Sequence, residues 1–136
     1  MPSATNRIEL PAPAPGTRRT LLAHRYGMPG ARPKAYFQAA LHADEIPGLL
    51  VAHHLLRALE QAQAAGRVLG EIVVVPAANP IGLGQHLNGR VLGRFDFEAT
   101  GNFNRGFPDV AAPALERLRG RLDADPATNV ARIREA

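Results

Sequence analysis

Hydrophobic positions change their spacing several times along the chain, and each change predicts an element. Residues 18–26 (RRTLLAHRY) carry an apolar run between charged residues and predict a strand, followed by a turn at Gly27-Met28-Pro29-Gly30. Residues 35–41 predict a second, short and buried strand. From Ile46 to Ala65 the spacing switches to threes and fours. Leu49, Leu50, His53, Leu56, Leu59 and Ala62 then fall on one side of a helix, with Pro47 in its first turn and Gly66 at its end. Glu71-Ile72-Val73-Val74-Val75-Pro76 is β-branched and nearly unbroken, the pattern of a strand buried on both faces.

Strand, helix and strand in succession predict a βαβ unit with parallel strands. Parallel strands end on the same side. The end of the first, with His42, and the end of the second, with Asn79-Pro80, therefore share one edge of the sheet. Open α/β folds keep their chemistry at that edge.

Outside this unit the pattern is weaker. Residues 1–16 are rich in Pro and Ala, show no hydrophobic period and predict a loose lead-in. Residues 81–109 are rich in Gly and Asn and predict a long functional loop. Asp109 is placed to cap a helix reaching about Leu122, and Asp125-Pro126 to open another. That last helix stops in mid-pattern over residues 129–136, so residues 17–136 are expected to be the N-terminal part of a single domain, truncated at the C-terminus.

Composition narrows the chemistry. A chain of 136 residues, 46% of them hydrophobic, can bury a core of its own. The formal net charge of +4 suggests nucleic acid, but the cations are scattered and all Arg except Lys34. Five Phe and two Tyr are too few for a base-stacking platform, so no nucleic-acid partner is expected. With no Cys, metal ligands are confined to His, Asp and Glu. No leader pattern or membrane span is visible, which leaves a cytoplasmic protein without a membrane partner as the expectation.

Several motifs carry candidate chemistry. His42-x-x-Glu45, at a strand-to-helix junction, could give one imidazole and one carboxylate to a zinc ion, or be a surface Glu beside a half-buried His. Asn102-Phe103-Asn104-Arg105 could grip a carboxylate through guanidinium and amide, or be a solvated turn. Arg90 and Arg94 could serve an oxyanion. Gly82-x-Gly84 fails as a dinucleotide loop because the next Gly, Gly89, comes five residues later. His24, His53 and His54 fit packing or solvent contact, and His86 is the other internal candidate ligand.

Ala40-Leu41-His42-Ala43-Asp44-Glu45-Ile46-Pro47-Gly48 nearly matches GLHADEIPG, and Asn79-Pro80-Ile81-Gly82 and Asn104-Arg105 follow in that order. With these motifs the chain resembles the succinylglutamate desuccinylase/aspartoacylase family, of the zinc carboxypeptidase superfamily, over residues 34–109. The resemblance implies a three-layer α/β/α fold with a mixed, partly parallel sheet and one catalytic zinc. It implies hydrolysis of the amide of an N-acyl amino acid or a similar carboxylate-bearing small molecule. By position, His42 and Glu45 match zinc ligands, and Arg94 matches the Arg that polarises the scissile carbonyl, with Arg90 in reserve. Asn104 and Arg105 match the pair that holds the substrate carboxylate.

Two departures stand out. Asn102-Phe103 replaces the common Asp-Leu, which leaves the substrate class open. No His follows Arg105, so the third zinc ligand and the general-base Glu are expected beyond Ala136, and His86 is not supported as a substitute. The competing readings are a non-catalytic α/β module that grips an anionic small molecule with Arg94 and Arg105, and a peptide-cleaving zinc carboxypeptidase.

Overall fold

The βαβ unit forms as its pattern predicts. In a computed structural model that describes residues 4–98 and 101–136, β3 (Lys34–Gln38) and β4 (Glu71–Val75) pair in parallel, with Tyr36 opposite Val73. The crossover is α1 (Ile46–Ala64). On the other side of β4 lies antiparallel β2 (Arg19–Gly27), and beyond it β1 (Ala4–Leu10). The result is a mixed α/β fold with a sheet ordered β1-β2-β4-β3.

The unbroken apolar run of β4 is explained by its central place, because both faces of the strand are covered. Val73 and Val75 pack with Ala23 on one face, while Val74 packs with Tyr26 and Leu59 of α1 on the other. The opposite end of β4 from the motif edge is fixed by a charge cluster. Glu71, only 2% exposed, accepts hydrogen bonds from Arg25 at 2.7 Å, from Lys34 at 3.0 Å and from the Gly30 backbone N–H at 3.1 Å. The bonds from Lys34 and Gly30 hold its carboxyl below the ordinary range against the opposing effect of burial.

Four expectations need correction. Residues 1–16 are not uniformly a loose lead-in, since β1 occupies Ala4–Leu10 and pairs with β2 along its whole length. Its residues are almost all exposed, so the strand rests on its backbone ladder and leaves no hydrophobic period to find. The strand at 35–41 is shorter and is not buried: β3 is a sheet edge, with Tyr36 57% and Phe37 46% exposed. The buried stripe of α1 runs through Ala52, Leu55, Leu56 and Leu59, and this turns Leu50 and His53 outward. Within 81–109 the loop contains α2 (Pro80–Leu83) and a hairpin of β5 (His86–Leu87) and β6 (Arg90–Val91). Asn88 and Gly89 make its turn, both at positive φ (49° and 75°), as a two-residue hairpin requires.

The chain divides into two compact units, Met1–Arg105 and Gly106–Ala136. The second contains α3 (Ala111–Leu118) and α4 (Pro126–Glu135), which contact each other. Asp125 caps α4 as expected, whereas the N-cap of α3 is Val110, with Asp109 accepting from Ala111 N–H just before it, and α3 ends at Leu118 instead of about Leu122. Among the described residues no helix is long and apolar enough to cross a membrane.

Candidate active site

The edge where β3 and β4 end is built by short tight contacts. The N–H of Ala39 donates to Val75 O at 3.1 Å and that of Ala78 to Ala39 O at 2.8 Å, so the two strand ends stay together. Ala40 then turns the chain through φ +55°, a left-handed conformation that costs a non-glycine residue about 1–2 kcal/mol. Asn79, 4% exposed, holds the turn from behind: its Nδ2 donates to Leu41 O at 2.9 Å while its Oδ1 accepts from Gly82 N at 2.8 Å. Next, fully buried Ala43 donates its N–H to Gly93 O at 2.9 Å. A Cβ at position 93 would lie 2.5 Å from Ala43 Cβ and 2.6 Å from Asp44 N, so only glycine allows this approach. The contact sets Arg94 opposite His42.

His42 is 4% exposed and uses both ring nitrogens. Arg94, which can only donate, puts one guanidinium N–H on His42 Nδ1 at 2.9 Å and another on Glu45 Oε1 at 2.8 Å. Nδ1 is therefore the acceptor of the ring, and Nε2 carries the proton and donates it to Asn102 Oδ1 at 2.8 Å. Asn102 Oδ1 also accepts from Asn104 N at 2.9 Å, which fixes it as the oxygen of the amide. His42 Nδ1 and Glu45 Oε1 thus stand 3.1 Å apart with their lone pairs turned to one cation. The His42 ring and the Arg94 guanidinium hold the Glu45 carboxyl below its ordinary range. Asp44, 3.7 Å from Arg94 Nε, adds a second carboxylate beside the guanidinium.

Of the residues singled out by sequence, His42, Glu45 and Arg94 come together directly. Asn104 joins Glu45, Phe37, Leu41, Val51 and Leu55 in lining an open cavity of about 690 Å³. Arg105 is exposed, and its guanidinium donates to Asn104 O at 2.6 Å. Arg90 lies exposed on the β5–β6 hairpin, and His86 Nε2 donates to Leu83 O at 3.0 Å. His24 contacts Thr5, and His53 stacks edge-on against His54 on the outside of α1. No group of three His, Asp or Glu able to hold a metal ion occurs among the described residues. Two further residues belong to the site. Asn102 stands out in the sequence as part of the Asn102-Phe103-Asn104-Arg105 motif but not as a partner of His42, and Gln85, in a stretch rich in Gly, gives no periodic signal at all.

A family model for the succinylglutamate desuccinylase/aspartoacylase catalytic domain matches residues 31–133. Among solved structures, a family protein from Shewanella amazonensis SB2B superposes with a TM-score of 0.72 and 30% identity, over 94% of this chain and 34% of the other. One from Shewanella frigidimarina NCIMB 400 gives 0.68 and 27%, over 90% and 32%. The chain thus spans about a third of the length of these relatives. No curated protein matches it.

Proposed function

Because the chain belongs to the succinylglutamate desuccinylase/aspartoacylase family, we propose that it carries the first half of the zinc site and the oxyanion group of a deacylase that hydrolyses an N-acyl amino acid. One observation carries the reading: His42 Nδ1 and Glu45 Oε1, 3.1 Å apart, direct their lone pairs at a single cation. An imidazole nitrogen and a carboxylate oxygen at that separation suit zinc. They are two protein ligands where a catalytic zinc site uses three, and no third His, Asp or Glu joins them among the described residues. When bound, the ion supplies a Lewis acid and brings the pKa of water toward neutrality.

The chain's own residues do the rest. Asn102 keeps the His42 proton on Nε2, so Nδ1 is free for the metal. His42 and Glu45 would hold the metal through the lone pairs that now accept from Arg94, and the Arg94 guanidinium beside them would serve the carbonyl oxygen of the substrate, where its N–H groups would stabilise negative charge more in the transition state than in the ground state. Asn104 and Arg105 hold the carboxylate of the amino acid, the guanidinium through paired hydrogen bonds.

In the full-length protein, His42→Ala is expected to remove zinc and hydrolysis together, measured by metal analysis and by a panel of N-acyl amino acids and peptides. Arg94→Ala should keep zinc and lower kcat about 10²–10³-fold. Zinc retained by H42A, or substrate binding indifferent to a chelator in an inactive protein, would overturn the reading.

A further inference from the structure

We propose that Gln85 is the positioning residue for Arg94, a buried carboxamide that fixes the backbone on both sides of it and so sets the approach of the guanidinium to His42 and Glu45. The proposal rests on the role given to Arg94 above. Gln85 is 9% exposed and lies just after α2, with its own N–H donated to Gly82 O at 3.1 Å. Its Nε2 donates to Leu92 O at 2.8 Å and to Phe95 O at 2.7 Å, and its Oε1 accepts from Phe97 N at 3.1 Å. Its backbone O accepts from Leu92 N at 2.9 Å. Both amide hydrogens and the carbonyl of the side chain are therefore used, on residues two before, one after and three after Arg94.

The Arg94 segment has little regular structure to hold it. Gly93 O meets Ala43 N in front, and Phe103 donates its N–H to Arg94 O at 3.1 Å. An isolated β-bridge, Phe95 to Asn102, joins it to the next segment, with Asp96 N–H donated to Gly101 O at 2.8 Å. Gln85 supplies the support from behind. No other side chain repeats its pattern: Glu keeps an acceptor and loses both donors, and Met keeps the shape and loses everything polar. Because Asn79 holds both Leu41 and Gly82, and Gln85 follows directly on that turn, the metal-ligand loop and the Arg94 loop are tied to one short frame. A displacement of about 1 Å at a catalytic group can cost about 10²-fold in rate.

The test uses full-length protein and the N-acyl amino acid that the wild type hydrolyses best. Gln85→Met and Gln85→Glu should each lower kcat about 10²-fold with small change in KM, at unchanged zinc content. In an Arg94→Ala background neither should lower it further. If R94A is slow while Q85M and Q85E run at the wild-type rate, or if their losses add in full to that of R94A, the proposal about Gln85 is wrong. If R94A itself costs nothing, the role of Arg94 fails instead. Hydrogen exchange on the unaltered protein checks the carboxamide directly: the N–H of Phe97, which donates to Gln85 Oε1, should exchange slowly. Exchange at the rate of an open loop would show that the Gln85 side chain does not hold it.

Discussion

Asn102 serves two donors with one oxygen, taking the Nε2–H of His42 at 2.8 Å and the backbone N–H of Asn104 at 2.9 Å. It therefore sets the ring that meets the metal and the start of the segment that meets the substrate. Replacing such a partner of a metal-bound His usually weakens metal binding about 10–100-fold. Asn102→Leu is expected to do so, read by zinc titration of the full-length protein, whereas Asn102→Asp keeps the acceptor and should bind zinc as tightly or more so. Equal affinity in N102L would show that the ring is oriented by packing alone. The contrast among neighbouring residues explains what sequence could reveal. His42 and Glu45 were legible because ligand chemistry needs those residue types at a helix-turn spacing. Gln85 and Asn102 act on backbone atoms and on another side chain's tautomer. Neither leaves a spacing rule, because their partners lie at distances along the chain that only the fold determines.

Among the elements, α1 begins without a side-chain cap. Glu45 stands at its N-cap position yet makes no capping bond, because its carboxylate is turned to His42 and Arg94. The helix gives up local stability for the site, and its packing through Leu55, Leu56 and Leu59 offsets the loss. At the other end of β4, Glu71 binds three elements together, since Arg25 ends β2, Lys34 begins β3 and Gly30 lies in the turn between them. Its pKa is lowered from an ordinary 4.5. The folded state therefore binds its proton more weakly than the unfolded chain does. The stabilisation is complete above the unfolded value and is lost as pH falls through the folded one. Denaturant unfolding should find Glu71→Gln less stable than wild type near neutral pH, and the gap should close in acid; a constant gap would mean the charge of Glu71 is irrelevant. The strands flanking the clamp show which elements a sequence displays. β4, covered on both faces, stands out as an apolar run, whereas β1, exposed and held by its ladder, is invisible to a search for periodicity.

Across the whole molecule, three segments distant in sequence meet at one end of the sheet, around 40–46, 79–97 and 102–105, while the opposite end carries the Glu71 clamp. The parallel pairing of β3 and β4 makes that convergence a consequence of topology, which is why the βαβ pattern was enough to bring His42 and Asn79 to one edge. A ligand that binds only the folded site stabilises it by mass action, by about 2.7 kcal/mol at a free concentration 100 times its Kd. Zinc added to metal-free full-length protein should therefore slow hydrogen exchange. Within Met1–Arg105 the gain should be largest at residues 40–46, where both ligands lie on one turn, and next largest across 92–97, which accepts from Ala43 N–H and packs against that turn. β1, separated from β3 by two strands at the far edge of the sheet, should change least. If the largest protection falls instead on the β5–β6 hairpin around His86, the ion is held elsewhere, and His42 and Glu45 are partners of Arg94 alone.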